Sequence, residues 1–364
     1  MRNTTLAWIL SSVLVLACAR PESSPPPVVA DSLRTLAAGE VVGVDGLHGD
    51  HAWLGMRFAQ PPAGELRWRA PQPPKPWEGR FEAVRPGPRC PQLGSALDGV
   101  EVGALIGAED CLTLNVYAPA FAPDAVPTGG ARLPVLLWIH GGGNTIGTAG
   151  FYDGSGIASS QDVVVVMVNY RLGPLGWLRH AALREGVSPE EQSGNFGNLD
   201  HVGALVWVRE NIGAFGGDPD NVTILGESAG GHDVLALLIS PTSRGLFHRA
   251  IVQSGGTKLT PPARAENSSD AADPGDPHSS NEMIVRLLER RGLAADRPAA
   301  KARLASMSST EIAALLRETD PTHSGEGERS AAGISCGGRP SRGAPPARRR
   351  GRAGRRCSCG RPGG

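Results

Sequence analysis

The chain reads as an α/β protein with a mostly parallel central sheet and helices on both faces. Two apolar runs, 133–139 and 163–168, lack the alternation of a half-exposed strand, which marks strands buried on both faces. Beyond them, strand-like and helix-like stretches alternate along the chain, the order that builds a parallel sheet.

Each stretch has its own signal. Residues 1–17 carry one early cation, Arg2, and an apolar core over 6–17, too short for a membrane span but suited to a secretory signal peptide. Val15-Leu16-Ala17 before Cys18 resembles a bacterial lipoprotein signal, which implies cleavage there, lipid on the Cys18 sulfur and an exported, lipid-anchored envelope protein; the alternative is an ordinary signal peptide with an incidental cysteine and a periplasmic or secreted protein. Pro21, Pro25, Pro26 and Pro27 make 18–35 an extended tether. The glycine- and proline-rich stretch 39–91 suggests short strands and turns on the edge of one domain, expected to run over 36–324. In 198–212, Val202, Leu205, Val206 and Ile212 fall near one side of a helix that Gly213 and the Gly216-Gly217 pair end. A strand over 222–225, a helix over 229–239 and a strand over 250–253 follow. Helical periodicity returns at 282–290 and 311–317, beyond a polar, proline-bearing loop around 261–277.

Composition narrows the function classes. The formal net charge is zero over 364 residues, but 325–364 holds 10 of the 36 basic side chains and only 2 of the 36 acidic ones. The body is therefore acidic, which argues against a basic nucleic-acid-binding surface. Export makes thiols tend to pair, and Cys90 and Cys111 are the two cysteines of the body, so a bridge between them is expected; neither has metal-ligand spacing.

The chemistry gathers at one turn. Gly226-Glu227-Ser228-Ala229-Gly230 fits G-x-S-x-G, a weak string alone in a chain with 49 glycines. Its setting is stronger: a buried-looking strand enters, a helix of small residues leaves, and the glycines permit a tight turn that lifts a serine oxygen above the sheet. A serine hydroxyl needs a base to become a nucleophile at neutral pH. At the end of another strand, His140-Gly141-Gly142-Gly143 offers bare backbone whose amides can meet a substrate oxygen. The rival dinucleotide-binding reading fails because Ile146 stands where the third glycine belongs.

Together these motifs resemble the type-B carboxylesterases, the cholinesterase-like α/β-hydrolases. Further stretches carry the likeness: Phe58-Ala59-Gln60-Pro61-Pro62, Gly64-Glu65-Leu66-Arg67, Glu109-Asp110-Cys111-Leu112-Thr113-Leu114-Asn115-Val116, Asn169-Tyr170-Arg171-Leu172-Gly173, and Gly194-Asn195 onward to Asp200. The resemblance implies hydrolysis of small-molecule carboxylic esters through an acyl-enzyme, without metal or organic cofactor. It makes Ser228 the nucleophile and Gly142, Gly143 and Ala229 the oxyanion donors. It gives Glu227 an electrostatic role beside the catalytic histidine, and it too implies the Cys90 to Cys111 disulfide. Asn144 departs from the pattern, since many relatives carry an aromatic residue there.

Relatives of this kind place the catalytic acid and histidine downstream on later strands. Here the histidines after Ser228 are His232, His248, His278 and His323, none of them in such a setting. The sheet is thus expected to be cut short before its last strands, and the chain to be weakly active or inactive. The alternatives are a non-catalytic surface-binding protein on the same scaffold or a non-functional fragment. The 325–364 tail, rich in arginine and glycine, cannot build a core and reads as disordered, with the look of a shifted reading frame.

Overall fold

The computed structural model describes residues 24–96, 100–257 and 259–320. The signal segment 1–17, Cys18, His323 and the 325–364 tail lie outside the described residues.

The chain enters through β1 (Arg34–Leu36) and β2 (Gly39–Val42), then β3 (Val44–Asp45), β4 (Asp50–Arg57) and β5 (Arg80–Glu82). A small pair, β6 (Gln92–Leu93) and β7 (Leu105–Ile106), precedes the main strands β8 (Thr113–Pro119), β9 (Leu133–Ile139), β10 (Val164–Val168), β11 (Gly217–Glu227) and β12 (Arg249–Gln253). Among the described residues the principal sheet has seven strands in the order β12-β11-β9-β10-β8-β4-β3. Its β12, β11, β9 and β10 are parallel, and β8, β4 and β3 continue antiparallel. The glycine- and proline-rich stretch supplies short strands, as expected: β3 and β4 at the edge of the principal sheet, and β2 and β5 with β1 in a three-stranded sheet of their own.

The unbroken apolar runs are buried on both sides. Val164, Val166 and Val168 face a core shared with Val135, Leu137, Ile139 and helix α3 (Phe196–Asn211), while Val165 and Met167 turn to the opposite face. There they pack with Ala158 of helix α1 (Ser155–Gln161). A single-turn helix α2 (Gly173–Gly176) leads toward α3, and α4 (Ala229–Ile239) joins the α3 face through Val234 and Leu237. Strand β12 forms one edge and is largely exposed, with Ile251 and Val252 open to solvent.

Beyond β12 come α5 (Pro262–Glu266), α6 (Ser280–Arg290), α7 (Arg297–Ser306) and α8 (Ser309–Glu318). Helices α6 and α8 sit where periodicity put them. Ser279 caps α6, and Ser308 with Glu311 forms a reciprocal capping box on α8. Helix α7 was not expected: it opens on Arg297-Pro298, and Ala300 is its buried residue, so no apolar stripe announces it. These helices build a second core with Trp68, Leu178, Leu183 and Phe196. Arg67 ties it down, donating to the carbonyls of Leu316, Arg317 and Thr319 while pairing with Glu109.

Residues ahead of 36 already bond to the fold. The Val29 amide bonds the Gly43 carbonyl at 3.0 Å, the Ser32 hydroxyl is buried against the Gly43 amide, and Arg34 opens β1. Residues 29–34 are thus tied to the fold. Among the described residues no helix is long and apolar enough to cross a membrane.

Cys90 and Cys111 are bonded, with Cα atoms 5.0 Å apart. They lie within the main core, and the bridge pins the β6–β7 excursion to the start of β8. Closing a loop of 21 residues restricts the unfolded chain by about 3 kcal/mol. A Cys90→Ala/Cys111→Ala chain is expected to lose about that much stability in urea titration, and reductant to destabilise the parent but not the variant.

Candidate active site

Strand β11 rises through the sheet and ends at Glu227; Ala229 already begins α4. Ser228 joins them with φ 55° and ψ −115°, a left-sided backbone that a non-glycine residue adopts only under strain. The turn holds because its neighbours have no side chains. A Cβ on Gly230 would lie 2.1 Å from the Ile139 carbonyl oxygen, and one on Gly226 would lie 2.4 Å from that of Gly230. The Ser228 amide bonds the Gln253 carbonyl at 2.9 Å, so β12 steadies the bend from the other side. Ser228 itself is half-buried.

The glycine loop leaves β9 beside this turn. A Cβ on Gly141 would stand 3.3 Å from Ser228 Cβ and 3.0 Å from Glu227 Oε2, so the loop backbone rests against both residues. Gly142 and Gly143 have φ of 108° and 65°, conformations that glycine adopts without penalty.

Three carbonyls are occupied in a way that aims three amides. In a trans peptide the C=O and the following N–H point in opposite directions. The Gly141 carbonyl accepts from His140 Nδ1 at 2.8 Å, which turns the Gly142 N–H away from the histidine. The Gly142 carbonyl accepts from the Thr145 and Ile146 amides, both at 3.1 Å, which turns the Gly143 N–H out of that bend. The Ser228 carbonyl accepts from the His232 amide and ring, which points the Ala229 N–H off the start of α4. First-turn amides of a helix have no intrahelical acceptor. Backbone donors arranged in this way suit an oxygen that gains negative charge.

Beneath the loop lies a buried polar layer that sequence reasoning did not single out. The His140 ring stacks on Tyr170 at 4.4 Å, and the Tyr170 hydroxyl lies 2.7 Å from the His140 carbonyl. Burial lowers the His140 pKa to about 4, so the ring is neutral and its Nδ1–H can donate to Gly141. His201 of α3 meets the edge of Tyr170 at 4.4 Å. Asn144, directly after the glycines, donates through Nδ2 to Asp233 of α4 at 3.0 Å. Arg171 and Asp200 form a buried ion pair beside this layer, joining two of the family-like stretches. The string HGGG named His140 but not its task; the other partners are far apart in sequence.

Among the described residues the downstream histidines are turned elsewhere. His232 Nδ1 reaches the Ser228 carbonyl at 2.7 Å rather than its hydroxyl. His248 Nδ1 accepts from the Val222 amide at 3.1 Å, at the far end of β11 from the bend, and His278 sits 3.4 Å from Asp276.

A strained serine at a strand-to-helix turn, on a mixed sheet covered by helices on both faces, defines an α/β-hydrolase. Within that class the chain belongs to the carboxylesterase family, whose sequence model, described as "Carboxylesterase family", matches residues 30–274. It is 44% identical over 226 residues to the para-nitrobenzyl esterase of Bacillus subtilis (strain 168), covering 62% of this chain and 44% of that protein. It is 38% identical over 301 residues to the "Fatty acyl-CoA hydrolase precursor, medium chain" of Anas platyrhynchos, covering 80% of this chain and 52% of the relative. A solved structure titled "THERMOPHYLIC PNB ESTERASE" superposes with a TM-score of 0.60 at 36% identity, covering 83% of this chain and 55% of that one. The chain spans about half the length of the relatives it matches.

Proposed function

We propose that this chain carries the nucleophile and oxyanion part of a serine carboxylesterase. Ser228 Oγ attacks the carbonyl carbon of a small carboxylic ester, and the amides of Gly142, Gly143 and Ala229 take the negative oxygen. The serine proton ends on the departing oxygen as the tetrahedral intermediate collapses and the alcohol leaves, and water then releases the acid from the acyl-serine and returns a proton to Ser228 Oγ. The observation that supports this most is the Ser228 backbone at φ 55° and ψ −115°, with the glycine loop against it.

Glu227 would act through the field it adds beside the nucleophile. Its carboxylate oxygen lies close to Gly141, and together with burial its charge raises the pKa of Tyr152. The polar Asn144 beside the glycines would make this end of the acyl site less apolar than an aromatic residue would. The proton on Ser228 needs an acceptor, and the described downstream histidines are directed elsewhere, so turnover by this chain alone is expected to be slow. A Cys90–Cys111 disulfide supports a location outside the reducing cytosol.

The test compares hydrolysis of para-nitrophenyl acetate by the parent and by Ser228→Ala, with mass spectrometry of the peptide that holds residue 228. The expected result is a serine-dependent rate and an acyl mass on Ser228 in the parent alone. Equal background rates and no adduct, in two chains with the same folded circular-dichroism spectrum, would replace this reading with a binding protein on an esterase scaffold.

A further inference from the structure

The amide donors proposed above come from two elements that the chain does not join directly. Gly142 and Gly143 ride on the loop after β9, whereas Ala229 is the first residue of α4. A shared oxygen is bound well only if the two sources keep their spacing to a few tenths of an ångström, and such sites depend on supporting contacts behind the donors.

On the loop side, Asn144 follows Gly143 and has φ 57°, a left-handed conformation that asparagine tolerates. Its backbone carbonyl accepts from the Gly173 amide at 2.7 Å, and its Oδ1 lies 3.2 Å from the Tyr170 hydroxyl. Those contacts fasten the loop to the segment after β10. Only its Nδ2 bond, 3.0 Å to Asp233 Oδ1, reaches α4. Asp233 stands one turn beyond Ala229, on the same side of the helix, and is 3% exposed.

The carboxyl is a costly choice at that position. Its Oδ2 is buried with no hydrogen-bond partner, and burial pushes its pKa up to about 7. A buried polar atom without a partner lowers stability, and an apolar side chain of similar size would avoid the loss. Its one side-chain bond is to the residue that ends the glycine run.

We propose that Asp233 is a positioning residue that, through Asn144, clamps the 141–143 loop to helix α4 and so sets the spacing between the two sets of amide donors. The inference rests on the oxyanion reading above for its catalytic consequence, but the clamp itself is a matter of backbone position.

The full chain carries the test, with Asp233→Val to remove the acceptor at nearly constant volume and Asp233→Asn to retain it. Three quantities are read: melting temperature, the amide signals of Gly142 and Gly143 in 15N-glycine-labelled protein, and kcat and KM for para-nitrophenyl acetate. Asp233→Val is expected to melt within a few degrees of the parent, since the unpartnered Oδ2 goes while Asn144 Nδ2 loses its acceptor, to shift both glycine signals, and to lose about ten- to a hundredfold in kcat with KM within about twofold. Asp233→Asn is expected to return the glycine signals toward the parent positions and recover most of kcat; a purely structural role would give no such split. Should Asp233→Val fold poorly, Asp233→Ala makes the same comparison with a smaller side chain. Glycine signals that stay in place when the acceptor is gone would overturn the clamp. A parent chain without serine-dependent turnover would overturn the esterase reading instead, and the amide signals would still decide the clamp.

Discussion

Replacing Asp200 by alanine is expected to destabilise the chain by about 3 to 5 kcal/mol, the cost of stranding a buried charge. Asp200 is fully buried on α3, and its carboxylate accepts from Arg171 Nε at 2.8 Å, Arg171 Nη2 at 2.6 Å and the Arg171 backbone amide at 3.0 Å. The guanidinium is 1% exposed as a residue and reaches two further acceptors, the carbonyls of Arg69 and Phe196. Without the carboxylate, neither carbonyl supplies a countercharge. The loss would reach the site, because Arg171 follows Tyr170, whose hydroxyl meets the His140 carbonyl. Arg171→Met/Asp200→Leu separates the two terms: replacing both charges with apolar side chains removes the stranded ion, so most of the stability is expected to return. Urea midpoints at constant m-value measure this. A double variant as unstable as Asp200→Ala would mean that the site needs the bonds themselves and not only neutrality.

What could be read in the sequence was local. The strand–turn–helix around Ser228 occupies consecutive residues, so its glycines, its serine and its small-residue helix announce themselves together. The buried strand Val164–Val168 did so by composition, since five apolar residues in a row leave no wet face. The Cys90 to Cys111 bridge was open to inference because the body holds only those two cysteines. Pairings across the chain were not open to it. Arg171 and Asp200 are 29 residues apart, and Asn144 and Asp233 are 89 apart. An aspartate on a helix is ordinarily solvated, and nothing in Gly231-His232-Asp233-Val234 says that the sheet and the glycine loop will close over it. His201 is equally plain in sequence, although both its ring nitrogens are buried without partners. Strand β11 begins five residues earlier than its apolar core because Asp218, Pro219, Asp220 and Asn221 form a polar bulge that hydropathy reads as loop. The helix α7 hid for the opposite reason: it is alanine-rich and buries little.

The same polar layer should make the chain sensitive to acid below pH 6.5. Burial lowers the pKa of His140 to about 4 and of His201 to about 3, both from an ordinary 6.5. Below pH 6.5 the unfolded chain binds protons on these two rings while the folded chain refuses them, so stability is lost as the pH falls toward 4. Each ring contributes on the order of 3 to 5 kcal/mol over its full window. Asp233 acts in the other direction. Its folded pKa near 7 lies above its ordinary 3.8, so it holds a proton in the folded chain that the unfolded chain releases, and its contribution is lost as the pH rises from about 4 to 7. Two rings outweigh one carboxyl below 6.5, and between 6.5 and 7 the three groups nearly cancel. Around these groups stand Tyr170, which both rings touch, and Asn144, which bonds the carboxyl. His201→Leu removes one ring without breaking a hydrogen bond, so its stability is expected to fall less steeply on acidification, by about one proton in the slope. Asp233→Asn removes the opposing term, so the acid limb should steepen. Urea unfolding between pH 4 and 8 reads both slopes. A His201→Leu chain with the parent's acid limb would show that this ring takes up its proton in the folded state, and would remove the buried neutral imidazole from the account.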